Sequence, residues 1–169
     1  MCPQMADKTI IERLQPSLLD RLTDLAPESL TESRDDRVID LRRLRDIIRR
    51  DLSFLLNTSD ASRIIDAEVY PQAARSVLNY GVREVYGEFS TKERASQVRA
   101  SIRAAIEMFE PRIKAGTLEV ILRQDEKVPQ TTVVFDIRAD MWAQPVPMEL
   151  YLRSEVDVTT GHVALDRFA

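Results

Sequence analysis

Glycine is scarce in this chain of 169 residues, with four, and cysteine, histidine and tryptophan occur once each. Four glycines leave no Gly-rich loop of the kind that cradles phosphates. A single Cys excludes an internal disulfide, and Cys2 with His162 cannot supply a zinc site of the usual Cys/His type within one chain. No apolar run approaches the ~20 residues that span a bilayer, so no membrane insertion is expected. The start, Met1 to Lys8, lacks an apolar h-region, so no secretory leader is expected and the cytoplasm is the expected compartment. Lysine is also rare, four against twenty arginines. Arginine favours planar pairs with carboxylates, although a GC-rich coding sequence produces the same bias.

What remains is an ordinary globular composition, 44% hydrophobic and 31% charged, long enough to bury a core without staples. The net charge of -4 is mildly acidic, unlike the basic domains that bind nucleic acid.

Residues 1–36 read as an N-terminal docking arm, broken at Pro3, Pro16 and Pro27. Between the prolines, Leu18, Leu19, Leu22 and Leu25 share one side of a short helix. A helix that short cannot bury its stripe alone, so it must dock on its own domain or on another protein. Residues 37–169 read as one domain. A helix is predicted from Asp36 to Asn57, with Leu41, Leu44, Ile47, Ile48, Leu52, Leu55 and Leu56 at three- and four-residue steps. Pro71 opens a shorter helix predicted to run to Tyr80 and end at Gly81. Ser90-Thr91-Lys92-Glu93 is a capping box, opening a helix with Ala95, Val98, Ile102, Ala105, Ile106 and Phe109 inward and Pro111 as its stop. The period then changes to two. Leu118 to Leu122, Thr132 to Ala139 and Met148 to Leu152 alternate, which predicts an antiparallel meander. The fold class is therefore α+β, N-terminal helices followed by a three- to four-stranded antiparallel sheet.

Catalytic constellations are weak. His162 sits beside Gly161 near the C-terminus, a poor place for a base that a third group must hold. Cys2 has no basic neighbour but Lys8. Glu107, Glu110 and Glu119 could supply the two carboxylates of a glycosidase, but Glu107 falls on the polar face and Trp142 is the one tryptophan available to a sugar. The chain is expected to have no catalytic, cofactor or metal residues. Arg42, Arg43, Arg45, Arg49 and Arg50 could meet phosphates, but Asp40, Asp46 and Asp51 lie within pairing distance along the helix, and a self-paired face or a protein interface accounts for them. The sharpest local signal is Phe109-Glu110-Pro111-Arg112. Proline forces a helix exit and fixes opposite charges on either side of it. The plain reading is a stop with a local ion pair, and the functional one is a rigid turn presented to a partner.

Several ordered segments resemble TssE, the baseplate subunit family of bacterial type VI secretion and counterpart of the small wedge protein of contractile phage tails. They are Ser17-Leu18-Leu19-Asp20-Arg21-Leu22-Thr23-Asp24, Arg50-Asp51-Leu52-Ser53-Phe54-Leu55-Leu56-Asn57-Thr58, Tyr70-Pro71 with Ser76-Val77-Leu78-Asn79-Tyr80-Gly81, Glu110-Pro111-Arg112, and Val156-Asp157-Val158-Thr159-Thr160-Gly161. The resemblance implies a non-enzymatic structural subunit docked on the wedge beside TssF and TssG, with TssK in the same assembly, in a cytoplasmic baseplate at the inner membrane complex. It implies that the Glu110-Pro111-Arg112 turn meets the helical core of the wedge. Leu18, Leu19, Arg21 and Leu22 of the arm would be interface residues beside it. It further implies that the sheet initiates the contractile sheath of TssB and TssC by strand pairing. A peptidoglycan muramidase is the rival reading from the enzyme class, and DNA binding by the Arg42–Arg50 helix the rival from the nucleic-acid class.

Overall fold

The computed structural model describes residues 17–24, 27–28, 41–84, 91–123, 131–142, 148–157 and 159–167. The elements are α1 (Leu18–Leu22), α2 (Leu41–Leu56), α3 (Pro71–Ala74), a 3-10 turn (Val77–Asn79), α4 (Thr91–Phe109), β1 (Glu119–Arg123), β2 (Thr132–Met141), β3 (Met148–Asp157) and β4 (Val163–Arg167). The strands form one sheet in the order β1-β2-β3-β4, each pair antiparallel. This is the expected α+β class. No helix among the described residues is long and apolar enough to cross a membrane.

The two long helices lie on one face of the sheet. Leu44, Ile47, Ile48, Leu52, Leu55 and Leu56 of α2 are buried, as are Ala95, Ile102, Ala105 and Ile106 of α4. They join Leu118, Val120, Val133, Phe135, Ile137, Leu150, Leu152 and Val163 in a single core. Helical steps of three and four residues and strand steps of two thus bring their apolar sides together.

β2 departs from simple alternation, because Val134 and Asp136, on the face turned away from the helices, are buried as well. The Asp136 carboxylate accepts from Arg123 Nε, from Tyr151 Oη at 2.8 Å and from Arg153 Nε at 3.3 Å. The Arg138 guanidinium lies 4.8 Å from the centre of the Tyr151 ring. A buried carboxylate is tolerated when it is paired and hydrogen-bonded. Burial pushes the Asp136 carboxyl up, and the bonds from Arg123, Tyr151 and Arg153 outweigh it, holding the group below the usual carboxylate range.

The helix predicted from Pro71 to Tyr80 is interrupted. Ser76 Oγ accepts the Leu78 N–H at 3.2 Å and donates to the Ala73 carbonyl at 2.8 Å, and Asn79 Nδ2 donates to the Ala74 carbonyl at 3.0 Å. Such side-chain bonds satisfy the groups that would have continued the helix. Gly81 does more than end a segment. It adopts φ +132°, and a Cβ there would lie 2.3 Å from the Thr58 carbonyl oxygen. Val82 N–H donates to Thr58 O at 2.8 Å and Asp60 N–H to Val82 O at 3.0 Å, closing residues 58–82 into a loop with a parallel bridge between Ser59 and Val82. At the other end of the chain, β3 continues to Asp157, and β4 follows a turn in which Gly161 N–H donates to Asp157 O at 2.7 Å. Leu25, Asp36, Asp40, Gly87, Ser90, Val158 and the polar turn 124–130 lie outside the described residues.

Candidate docking site

Helix α4 stops at Phe109 because Pro111 cannot donate to the preceding turn. Glu110 still donates its N–H to the Ile106 carbonyl at 3.0 Å, and its side chain folds inward, leaving the residue 5% exposed. Glu110 Oε1 accepts the Arg112 backbone N–H at 3.0 Å and Arg112 Nε at 2.6 Å, and Oε2 accepts Arg112 Nη2. The ion pair expected from the sequence is therefore built into the turn itself.

The pairing does not end there. Arg112 Nη2 also donates to Asp51 Oδ2 at 2.7 Å. Asp51 Oδ1 accepts Arg50 Nε at 3.0 Å and Nη2 at 2.6 Å. Arg50 Nη1 reaches Asp20 Oδ1 at 2.5 Å, and Ser17 Oγ donates to Asp20 Oδ2 at 2.5 Å. Charges alternate from Glu110 through Arg112, Asp51 and Arg50 to Asp20, linking the turn, α2 and α1. The bond from Arg50 is the main cause that holds the Asp20 carboxyl below the usual range; burial opposes it and Ser17 assists. In turn the Asp20 bond raises Arg50. Burial pulls the Arg112 guanidinium down, but Glu110 and Asp51 more than offset it, so it is raised and stays charged. Beside the chain, Tyr80 meets Phe109 edge-on with ring centres 5.3 Å apart. The Tyr80 phenol is pushed up by burial first and then by the Asp51 and Glu110 carboxylates.

Thus α1 is anchored by its polar side. Leu18, Leu19 and Leu22 remain 69%, 55% and 74% exposed, and Arg21 is exposed too. The structure brings the arm helix and the Glu110-Pro111-Arg112 turn, singled out separately in the sequence, onto one cluster. The groups that join them, Asp20, Arg50 and Asp51, went unassigned in the sequence, where Arg50 and Asp51 read as charges of α2 alone. Residue spacing carries no signal for partners 30 and 61 positions apart. Arg112 keeps part of its surface, whereas Glu110 has almost none and is covered by its pairing with Arg112.

The arrangement is poor acid–base equipment. Both Glu110 oxygens are occupied by a guanidinium, and a general acid needs an apolar pocket and a proton to give. Glu107 is exposed and bonded to Arg103 at 2.9 Å, while Glu119 and His162 are exposed. Among the described residues no cluster of His, Cys, Asp or Glu could hold a metal ion. Against known proteins, no curated protein and no solved structure matches the chain. One family model does match, that of "Baseplate wedge protein gp25", over residues 42–146. That span is more than half of the chain and includes Arg50, Asp51 and the Glu110-Pro111-Arg112 turn.

Proposed function

This chain belongs to the baseplate wedge protein gp25 family, a structural family, and on that premise we propose that it is the TssE-like subunit of a type VI secretion baseplate, docking on the wedge at one face and starting the sheath at another. The observation that carries the reading is the charge chain from Glu110 to Asp20. It spends its ion pairs on positioning Arg112 and α1, and leaves Leu18, Leu19 and Leu22 free to meet another protein. Large exposed apolar groups beside an arginine are the composition of an interface core. The proposed partners at this face are TssF and TssG, with TssK in the same assembly and no nucleic acid or membrane contact.

The sheath subunits TssB and TssC are the proposed partners of the sheet, and the two edges are unequal. On β4, Val163 N–H donates to Asn57 Oδ1 at 2.9 Å and Asn57 Nδ2 donates to Val163 O at 2.9 Å, so Asn57, the residue after α2, already occupies the start of that edge. On the other side, the Asp140 carbonyl accepts Lys114 N–H and Trp142 N–H donates to the Arg112 carbonyl, each at 2.8 Å. Even-numbered residues of β2 therefore point their backbone groups toward β1. In the observed register these are met by Glu119, Ile121 and Arg123, leaving Val120 and Leu122 with N–H and C=O directed outward. Such an edge accepts a strand from another chain, and β1 is the edge we assign to it.

The test is purification of the tagged full chain from cells making the apparatus, comparing wild type with Leu18→Ser/Leu22→Ser and with Arg112→Ala. Both leucines are exposed, so the double variant keeps its fold. Recovery of TssF and TssG from wild type and their loss from both variants is expected. Undiminished recovery removes the docking face from the proposal. Loss of turbidity in purified cell walls would favour the muramidase reading instead, for which the occupied Glu110 carboxylate gives no support.

A further inference from the structure

Asn57 directly follows α2 and is exposed, yet its side-chain amide is fully engaged. Nδ2 donates to the Ser53 carbonyl at 2.8 Å and to the Val163 carbonyl at 2.9 Å, and Oδ1 accepts the Val163 N–H at 2.9 Å. Both amide hydrogens are thereby used. Ser53 lies one helical turn back, so its bond holds the amide from within α2. The same amide then meets Val163, 106 positions away in the chain, with a donor and an acceptor side by side. A neighbouring β-strand presents the same pair of groups to a residue whose backbone points outward.

Val163 is such a residue. The Asp157 N–H donates to the His162 carbonyl at 2.9 Å, so in the observed register Val163, Leu165 and Arg167 turn their backbone groups away from β3. Among the described residues a side chain engages the backbone of Val163, whereas none engages that of Leu165, or of Val120 and Leu122 at the opposite edge. A tie between α2 and the sheet is the plain explanation, but the core already supplies one: Leu52, Leu55, Leu56 and Val163 are buried in a single cluster. At an open edge water would satisfy the same backbone groups, so the net gain to the fold is small. What the bonds change is what else can pair there.

We propose that Asn57 is a specificity-determining residue, a side-chain mimic of a strand that prevents β4 from pairing with β4 of a second copy of this chain. An exposed strand edge is a template for other strands, and a second copy is the strand always present at the same concentration. Two copies meeting edge to edge about a two-fold axis pair antiparallel. The longest overlap sets Leu165 opposite its counterpart and Val163 opposite Arg167 at both ends. Symmetry doubles the effect of Asn57, because both end pairs need Val163 and only the central pair is left. Registers that avoid Val163 shorten the overlap. Closing this edge leaves β1 as the place for strand addition. The guard itself holds whatever β1 accepts, and so does not rest on the sheath reading.

Amide exchange of the purified full chain, followed by nuclear magnetic resonance at low and high protein concentration, tests this with Asn57→Ala and Asn57→Asp. Wild type should show slow exchange at Val163 and concentration-independent exchange at Leu165 and Arg167. In Asn57→Ala, Val163 should exchange about tenfold faster at low concentration. At high concentration Val163, Leu165 and Arg167 should slow together while sedimentation velocity shows a dimer. Asn57→Asp keeps the acceptor for the Val163 N–H and loses the donor, so it should stay monomeric with Val163 slow. A mere tie between α2 and β4 predicts lower melting temperatures in both variants and association in neither. Asn57→Ser, too short to offer Val163 both groups, repeats the measurement if the alanine variant does not fold. Concentration-independent exchange at Leu165 in the folded variant overturns the inference. So does slowing at Leu165 in wild type, or an association that slows only Val120 and Leu122. Failure of β1 to pair with a sheath strand changes only Val120 and Leu122, so the two proposals fail separately.

Discussion

A methyl group at Gly81 would have to displace the Thr58 carbonyl oxygen, 2.3 Å away, in a backbone conformation of φ +132° that L side chains rarely adopt. Gly116 has a comparable left-handed φ of +81°, but nothing lies within 4 Å of where its Cβ would go. Comparison of the two separates backbone strain from close approach. Gly116→Ala is expected to cost about 1 kcal/mol, and Gly81→Ala about 3 kcal/mol because the clip at Ser59 and Val82 must open as well. Urea denaturation of the two variants reads the difference. Equal losses would mean that the closed loop contributes no more than its dihedral angle. The sequence showed that segments end at these glycines, but not that the two differ, because the difference is the distant Thr58 carbonyl. Asp136 follows the same logic. Alternation places it correctly on the outer face of β2, and its burial depends on Arg123, Tyr151 and Arg153 of neighbouring strands, whose register no single segment encodes.

At the level of elements, α2 and α4 were legible because their apolar steps are long and regular, and the sheet because its alternation is. α3 was overextended because Ser76 and Asn79 end it with side-chain bonds that periodicity does not register. The attachment of α1 was the least legible. Its leucine stripe suggested apolar docking, yet the bond that fixes it is Asp20 to Arg50. That bond gives α1 a pH response whose sign is determined. The folded carboxyl of Asp20 lies below its ordinary value, with the Arg50 bond as first cause. Its contribution is therefore complete above the unfolded value of about 3.9 and is lost as pH falls through the lower, folded value. The α1 amide signals of Ser17 to Thr23 should hold their positions down to about pH 4 and move together below it, as followed by nuclear magnetic resonance. In Asp20→Asn this low-pH step should be missing, and α1 should be loosened already at neutral pH. An undiminished step in the variant would assign the transition to another group.

Taken whole, the molecule has a core-bearing inner face and several outer surfaces that its own elements leave uncovered. Ile64, Val69, Tyr70, Val77 and Leu78 of the loop and the leucines of α1 are exposed, which suits a protein completed by neighbours rather than one built to act alone. The unequal sheet edges give this a consequence that can be measured amide by amide. In the isolated chain, Val120 and Leu122 on β1 and Leu165 and Arg167 on β4 direct their N–H groups outward by the observed registers, whereas Val163 on β4 is bonded to Asn57. Hydrogen exchange should therefore be fast at Val120 and Leu122 and slow at Val163, although the side chains of Val120 and Val163 are both buried. On joining a sheath, a strand added at β1 would slow Val120 and Leu122 together, because a paired strand engages alternate residues of its neighbour. Leu165 and Arg167 would keep their original rates. Slowing at Leu165 and Arg167 with β1 unchanged would move the strand-accepting edge to β4, and require the Asn57 bonds to Val163 to be given up or bypassed. Slowing at neither edge would leave the sheet as a scaffold for the core and would remove the proposed strand pairing with a sheath.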